Sequence, residues 1–253
     1  MRRLFFAFVV AALLPGAAQA APQFALEYDA SILNVVTLGK VTLKGAIGAG
    51  GYTGAATVQT AGFAQLFDDT RVSASAAGAV TAAGLSWSNY ELSHAYARKF
   101  RHVSMKRGGA SVTATIAPAY RDMGVPPATD AQKAGARDPV TTFLAMGRTM
   151  AATGTCGGTY PVFDGKEYYT LTLSTKANGT YQGGGYNGKA IVCWLRYQPI
   201  AGFKPMSAAE RARIPLAEIW FATPASGFAM PLRVEVPTPF GAARLDLVKR
   251  AGV

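Results

Sequence analysis

Six basic side chains within ten residues form the densest group of chemically useful side chains in the sequence. Tyr96 and Phe100 lie beside and among them. Cationic groups interleaved with aromatic rings suit an anionic headgroup or polymer. The alternative is a pair of solvated strands whose charges discourage edge-to-edge pairing, and the sequence leaves both interpretations open. The candidate anion-binding residues are Arg98, Lys99, Arg101, His102, Lys106 and Arg107.

Catalytic and cofactor motifs are sparse. There is no Gly-x-Ser-x-Gly elbow, and His94 and His102 are the two histidines. We expect both on neighbouring strands as half-exposed sheet residues, while a dispersed Ser, His and Asp set stays open as the alternative. Residues 183–190 have phosphate-loop spacing but end in Ala190, where magnesium binding needs Ser or Thr. The sequence therefore predicts no cofactor, and its isolated histidines predict no metal site.

The first twenty residues have the three-part layout of an export signal. Arg2 and Arg3 precede an apolar run from Leu4 to Leu14, and Ala18-Gln19-Ala20 supplies the small residues of a cleavage site. The apolar run has only half of the roughly 20 residues that a membrane span needs. We therefore predict a signal peptide over 1–20, a mature chain without a transmembrane segment, and a periplasmic location.

Cys156 and Cys193 are the only cysteines. An exported chain meets an oxidising compartment in which such a pair normally closes, so we expect a disulfide between them. A structural zinc site would need four nitrogen or sulfur ligands, which two isolated thiols do not supply.

The chain is cationic, with 25 Lys and Arg against 14 Asp and Glu. Removal of a signal containing Arg2 and Arg3 leaves a mature chain with a formal net charge of 23 − 14 = +9. This charge draws a protein to anionic surfaces such as phospholipid headgroups, lipopolysaccharide or acidic wall polymers, or it serves solubility alone. The expected partner is a lipid, lipopolysaccharide or an envelope protein. Nucleic acid is the usual partner of such a charge, but an exported protein meets little of it, so we expect none.

Short strand-forming stretches separated by glycine turns recur along the chain, which predicts a mainly β protein. Asp138 before Pro139 predicts a helix over 139–150, and the capping box of Ser207 and Glu210 predicts a shorter one. Residues 118–137 predict a connection across the surface. We therefore expect residues 21–253 to form one domain, a strongly curved antiparallel sheet or incomplete β-barrel wrapped around one or two helices. Three residue pairs predict two-residue hairpin turns: Asp164-Gly165, Asn178-Gly179 and Asn187-Gly188.

A block of motifs runs through the second half of the chain. Its members are Cys156-Gly157-Gly158, Val162-Phe163-Asp164-Gly165, Gly185-Tyr186-Asn187-Gly188-Lys189-Ala190-Ile191-Val192-Cys193, Arg196-Tyr197-Gln198-Pro199-Ile200-Ala201-Gly202-Phe203, Glu218-Ile219-Trp220-Phe221 and Pro231-Leu232-Arg233-Val234. Together they resemble an exported Gram-negative family known as domain of unknown function 3108, over nearly all of the mature chain. The resemblance implies an envelope location, a β-rich fold similar to the incomplete barrels of periplasmic lipoprotein carriers, and no assigned reaction. It also places both cysteines at the family's matching positions, which supports their pairing.

These observations favour a non-enzymatic periplasmic protein that binds or scaffolds a lipid or anionic component and helps maintain the cell envelope. A curved sheet around a helix commonly leaves an apolar concavity for such a ligand. The alternative function is an envelope hydrolase with a dispersed Ser, His and Asp site.

Overall fold

The computed structural model describes residues 23–33, 35–66, 69–96, 99–223 and 227–252. The predicted signal peptide and Arg98 lie outside these residues. The described strands are β1 Gln23–Ile32, β2 Val36–Ile47, β3 Tyr52–Thr60, β4 Arg71–Thr81, β5 Gly84–Tyr96, β6 Lys99–Gly108, β7 Ser111–Ala117, β8 Thr159–Phe163, β9 Tyr168–Gly183, β10 Tyr186–Ala201, β11 Ala217–Ala222, β12 Pro231–Thr238 and β13 Gly241–Ala251.

Few helical segments accompany the strands. A short 3₁₀ turn spans Gly62–Leu66, and the α-helices are α1 Asp130–Gly135, α2 Pro139–Thr153 and α3 Ala208–Ala212. Both predicted helices are confirmed: Asp138 caps α2, and Ser207 forms the capping box of α3. The segment 118–137 also contains a helix, α1, which the sequence had suggested only as connecting chain.

All strands belong to one antiparallel sheet whose spatial order is β7-β6-β5-β4-β3-β2-β1-β13-β12-β11-β10-β9-β8. Strands that are adjacent in the sheet are also consecutive along the chain, except at the centre, where β1 pairs with β13. The outermost strands, β7 and β8, are not paired with each other. The prediction of a mainly β, strongly curved and incompletely closed sheet is confirmed.

Helix α2 begins where the sequence predicts because two residues prepare its first turn. The Asp138 carboxylate accepts the Thr141 N–H at 2.8 Å, and Pro139 occupies a position whose missing N–H would have no helical partner. Burial of α2 against the concave side of the sheet then stabilises it. Buried positions extend along most of its length: Val140, Thr141, Thr142, Leu144, Ala145, Met146, Gly147 and Met150.

The contact between α2 and β3 depends on a residue without a side chain. A Cβ at Gly54 would lie 2.8 Å from side-chain atoms of both Leu144 and Val140, so the helix approaches the sheet closely there. The Tyr52 hydroxyl lies 2.6 Å from the Thr141 Oγ1, which gives the buried phenol a polar partner. This half of the concave face is therefore filled by the protein's own side chains.

The seam between β7 and β8 is covered by the segment that leads into α2. Arg137 forms a parallel bridge with Val162 of β8, donating its N–H to Pro161 O at 3.0 Å. From the opposite side, Trp87 Nε1 and an Arg107 guanidinium nitrogen each donate to Ala136 O at 2.9 Å. Side chains of β5 and β6 are thus joined to β8 through one strip of irregular chain.

The sheet is rolled, because the β8–β9 turn lies against the concave face of β6. A Cβ at Gly165 would approach Val103 Cγ1 to 2.5 Å, and Gly165 has φ +108. Both the spacing and the backbone conformation therefore favour glycine at this position. A turn does occur at Asp164-Gly165 as predicted, but it spans four residues, 164–167, instead of two.

The other two predicted turns are wrong. Asn178-Gly179 lies inside β9 and Asn187-Gly188 inside β10, so the two strands run on without interruption. The real turn falls between them at Gly184 and Gly185, both of which have positive φ. Both glycines take the positive φ that a two-residue hairpin turn requires, and the phosphate-loop spacing of residues 183–190 belongs to this hairpin.

The predicted disulfide is confirmed. Cys156, just after α2, is bonded to Cys193 of β10, with their Cα atoms 5.6 Å apart. Both residues are buried. The bond ties the end of the enclosed helix to the half of the sheet that contacts α2 least.

Replacement of both cysteines, Cys156→Ser with Cys193→Ser, is expected to lower the free energy of unfolding by about 4 kcal/mol in the chain-entropy model, because the bond closes a long loop in the unfolded chain. Urea unfolding followed by circular dichroism measures this difference. Dithiothreitol should destabilise the wild-type protein and leave the double variant unaffected. Equal midpoints for the two proteins without reductant would contradict the prediction.

Candidate functional site

One row of side chains crosses the concave face over six strands. Pairing places Tyr28 opposite Val41, Val41 opposite Val58, and Val58 opposite Val72. The row then continues through His94 on β5 to Arg101 on β6. Directly opposed residues of antiparallel strands project to the same face, so three valines lead to two basic groups.

This row lies beyond the part of the concave face that α2 fills. Val58 lies four residues beyond Gly54, about 13 Å along β3. This step leads toward the side of the sheet on which β1, β3, β5, β8, β10 and β12 terminate. We call that end of the sheet the open rim. Val58 is 39% exposed although it projects to the same face as Gly54.

Other aliphatic side chains of the same half are also incompletely covered. They share inward positions on their strands and retain partial exposure. With the three valines they form what we call the mouth lining: Val41, Val58, Val72, Leu92, Leu171, Leu195, Val234 and Leu245. The mouth lining is an apolar concave surface next to solvent.

The basic end of the row is held in place by an aromatic ring. Arg101 donates from Nε to Pro118 O at 3.1 Å, and its guanidinium carbon lies 3.7 Å from the centroid of the Tyr120 ring. Lys166 Nζ lies 5.1 Å from the same centroid. Stacking between a cation and a ring fixes the orientation of the guanidinium, so a positive group is positioned beside the mouth lining.

Carboxylates and phenols cluster at the β8–β9 turn, which carries Lys166. Burial raises the pKa of Asp164, although its carboxylate accepts N–H groups from Lys166 and Glu167 at 2.9 and 2.7 Å. Burial, and then the charge of Asp164, raises the pKa of Glu167. Burial also raises the pKa of Tyr169, so its phenol stays neutral and can donate a hydrogen bond. The mouth therefore has an apolar wall and a polar wall.

The structure divides the predicted anion-binding residues among three places. Lys99 and Arg101 belong to the concave side of β6, and Lys99 Nζ lies 5.9 Å from the Tyr96 ring centroid. His102 and Lys106 project outward, because side chains alternate along a strand. Arg107 donates to Ala134 O and Ala136 O at the seam and so has a structural role. Arg98 lies outside the described residues.

His102 belongs to a polar chain on the outer face. Its Nδ1 lies 3.2 Å from Ser93 Oγ, and its Nε2 lies 3.0 Å from a Glu91 carboxylate oxygen. Ser104 donates to the other oxygen of Glu91 at 2.7 Å. Glu91 also borders an outer groove of about 790 Å³, lined mainly by small residues of β1 to β5. His94 lies on the opposite face and takes no part in this chain.

No cluster of metal-ligating side chains occurs among the described residues. No helix in the described part of the chain is long and apolar enough to cross a membrane.

The sequence did not reveal that Tyr120 positions Arg101, nor that the valines form a row. Tyr120 lies in an irregular segment, and only the fold brings it to Arg101. The valines are more than a dozen residues apart along the chain, and the strand register alone aligns them. The alternating pattern of β3 and β4 was the one available signal, since it places Val58 and Val72 on the apolar side.

Comparisons with known proteins give a family and a fold. The model of the family described as "Protein of unknown function (DUF3108)" matches residues 24–248. A crystal structure of a β-barrel-like protein of domain of unknown function DUF1849 from Brucella abortus has a TM-score of 0.56 and 11% sequence identity, covering 91% of this chain and 98% of that one. At this identity the likeness concerns the fold alone. No curated protein matches the chain.

The buried cap of α2 is expected to make stability depend on pH. Burial raises the pKa of Asp138 to about 6, whereas an unfolded aspartate titrates near pH 4. Between these values the native state binds more protons than the unfolded state, so stability falls as pH rises. We expect the urea-unfolding free energy to be larger at about pH 5 than at about pH 7, with Asp164 and Glu167 contributing in the same direction.

Asp138→Asn keeps an oxygen acceptor for the helix cap but cannot ionise, so it should flatten this dependence. Asp130→Asn is the matched control, because the Asp130 side chain is fully solvated at the start of α1. The same pH slope in both variants would show that Asp138 is not the titrating group.

Proposed function

The chain belongs to the DUF3108 family of proteins of unknown function, and from this premise we propose that it is an exported, non-enzymatic binding protein of the cell envelope. Its ligand is an envelope lipid whose acyl chain lies along the mouth lining. Its task is to hold that lipid, and so to support maintenance of the envelope.

The observation that carries this proposal is the partly exposed valine row on the concave face. Apolar side chains on an inward face normally pack against other elements. Near Gly54, for example, Leu144 and Val140 of α2 lie directly against the sheet. Val41, Val58 and Val72 face the same way and keep contact with solvent. An acyl chain would remove about 25 cal/mol of unfavourable hydration per Å² of apolar surface that it covers.

The basic end of the row suits the other end of such a ligand. Arg101 is held beside the lining by Tyr120 and Pro118 O, where a phosphate or carboxylate could accept its hydrogen bonds. His94 lies in the same row, one strand nearer to the valines. An amphipathic ligand with an anionic headgroup therefore fits the mouth lining together with the basic end of the row.

The proposed envelope location rests on the leader-like first twenty residues, the disulfide and the basic charge. Disulfides persist where the surroundings are oxidising, and a cationic protein is attracted to anionic lipid. These features support a role outside the cytoplasm.

Val58→Asp is expected to weaken lipid binding about tenfold or more, because it places a carboxylate against the acyl chain. Fluorescence of cis-parinaric acid, and its displacement by lysophosphatidylglycerol, measures the affinity. Gln59→Asp is the matched control, since it adds the same charge at the next residue on the exposed outer face. Equal affinity in the two variants would place any binding elsewhere.

Native mass spectrometry of protein purified from the envelope fraction tests the proposal without a chosen probe. Retained mass that collisional activation releases as a lipid is the expected result. Wild-type protein that neither carries a lipid nor binds the fluorescent fatty acid would overturn the proposal.

A hydrolase is the second candidate, favoured by the chain of Ser93, His102 and Glu91 on the outer face. A serine, an imidazole and a carboxylate in hydrogen-bonding range are the parts of a nucleophilic site. However, Ser93 lies in an interior strand that pairs with β4 and β6 on its two sides. The backbone N–H groups beside it serve the sheet, so they do not form an oxyanion hole.

We expect the wild-type protein to show no turnover of p-nitrophenyl esters above the uncatalysed rate, since the oxyanion donors are committed to strand pairing. A rate that disappears in Ser93→Ala and His102→Ala would instead establish the hydrolase. His94→Ala is the control, because His94 lies on the opposite face and should leave such a rate unchanged.

A further inference from the structure

Exposed apolar side chains gather at one end of the rolled sheet. Among the described residues, eight large hydrophobic side chains are exposed. Val58 belongs to the mouth lining and Val248 lies away from the open rim, whereas the other six lie at the rim. The six are Leu33, Val35, Phe100, Met123, Val125 and Phe240. Scattered exposed hydrophobics are ordinary in proteins, but their confinement to one end indicates an interaction surface.

The densest part of this surface is formed by two adjacent hairpins. Because β1 pairs with β13, the β1–β2 and β12–β13 turns lie side by side, and Leu33 donates its N–H to Ala242 O at 3.2 Å. The Leu33 side chain packs over Gly241. Val35 and Phe240 project from these two turns, 79% and 78% exposed.

The remaining apolar residues extend the surface around the mouth. Phe100 begins β6 on one side. On the other side, Val125 is fixed by its N–H, which donates to Phe203 O at 2.8 Å just beyond β10. Side chains on opposite sides of the mouth can therefore contact one flat apolar layer together.

Exposed charges at the open rim are mainly positive. Six exposed basic residues lie in its described loops and strand starts, against three exposed acidic residues. The basic residues are Arg71, Lys99, Arg121, Lys204, Arg211 and Arg213, and the acidic ones are Asp69, Asp122 and Glu210. An apolar tip surrounded by cationic side chains complements a surface whose interior is apolar and whose face is negative, namely a bilayer of anionic phospholipid.

We propose that the open rim docks on an anionic phospholipid bilayer, with Val35 and Phe240 inserted at the level of the acyl chains and the basic residues against the headgroups. Docking in this orientation brings the mouth lining to the membrane surface. The docking surface is made of rim side chains and does not require that the mouth lining hold a lipid.

Vesicle flotation tests the proposal with protein made from the full chain, whose mass shows whether the leader has been removed. The vesicles contain phosphatidylcholine alone or mixed with phosphatidylglycerol. Wild-type protein should float with the mixed vesicles and lose binding as salt is added. Val35→Ser combined with Phe240→Ser should lower the partition coefficient about tenfold, while Val248→Ser, an exposed valine away from the rim, should not change it.

A fluorescent reporter tests the orientation. Tryptophan at position 240, introduced as Phe240→Trp, should gain blue-shifted emission on anionic vesicles and be quenched by brominated lipid, after subtraction of the wild-type signal. Val248→Trp should show neither effect. Equal flotation of the rim variant and the Val248→Ser control would overturn the proposal, as would wild-type protein that ignores anionic vesicles or binds a protein partner through this rim instead.

Failure of this proposal is distinguishable from failure of lipid binding by the mouth lining. Val58→Asp should still float with anionic vesicles when its binding of free fatty acid is lost. The Val35 and Phe240 double variant should still bind free fatty acid when it no longer floats.

Discussion

The unpaired seam between β7 and β8 is the constraint on which the rest of the structure depends. An edge strand with free N–H and C=O groups must be covered, and here the strip from Ala134 to Asp138 does so. It bridges to β8 through Arg137 and receives donors from Trp87 and Arg107. Since the same strip ends at the cap of α2, closing the seam also fixes where the helix enters the roll. One half of the concave face is thereby filled, and the aliphatic side chains of the other half stay partly exposed.

Local features of the fold could be predicted from the sequence, and long-range pairing could not. The cap at Asp138, the capping box at Ser207 and the disulfide depend on neighbouring residues or on the number of cysteines. The residue types of Asn178-Gly179 suit a turn, but β9 continues through them and the chain turns six residues later, at Gly184 and Gly185. The pairing of β1 with β13 joins residues over two hundred positions apart, as Tyr28 and Leu247 show, and no local pattern encodes it. The basic cluster suggests one surface in the sequence, but the structure divides it. Arg101 and His102 are neighbours in sequence and lie on opposite faces, because side chains alternate along a strand.

The proposed binding and docking would use the two kinds of apolar surface that the rolled sheet leaves uncovered. The mouth lining faces inward and is flanked by Arg101, while Val35 and Phe240 face outward at the open rim. Lipid held by the first surface would have a short path to a membrane contacted by the second. The enclosed helix, the disulfide and the seam all lie away from the valine row, so a ligand at the open end would leave this framework unchanged.

The central position of the β1–β13 pair also determines the order in which the molecule can be built. The first strand along the chain borders β2 on one side, and its other edge stays bare until the last strand has arrived. Meanders on either side can form early from local contacts, but they remain two separate ribbons until the chain is complete. Pairing of β1 with β13 therefore comes late and joins residues distant in sequence, and steps of this kind make folding slow. Until it occurs, the unpaired strand edges can associate with other chains. Shielding the growing polypeptide until its last residues are synthesised would protect these edges.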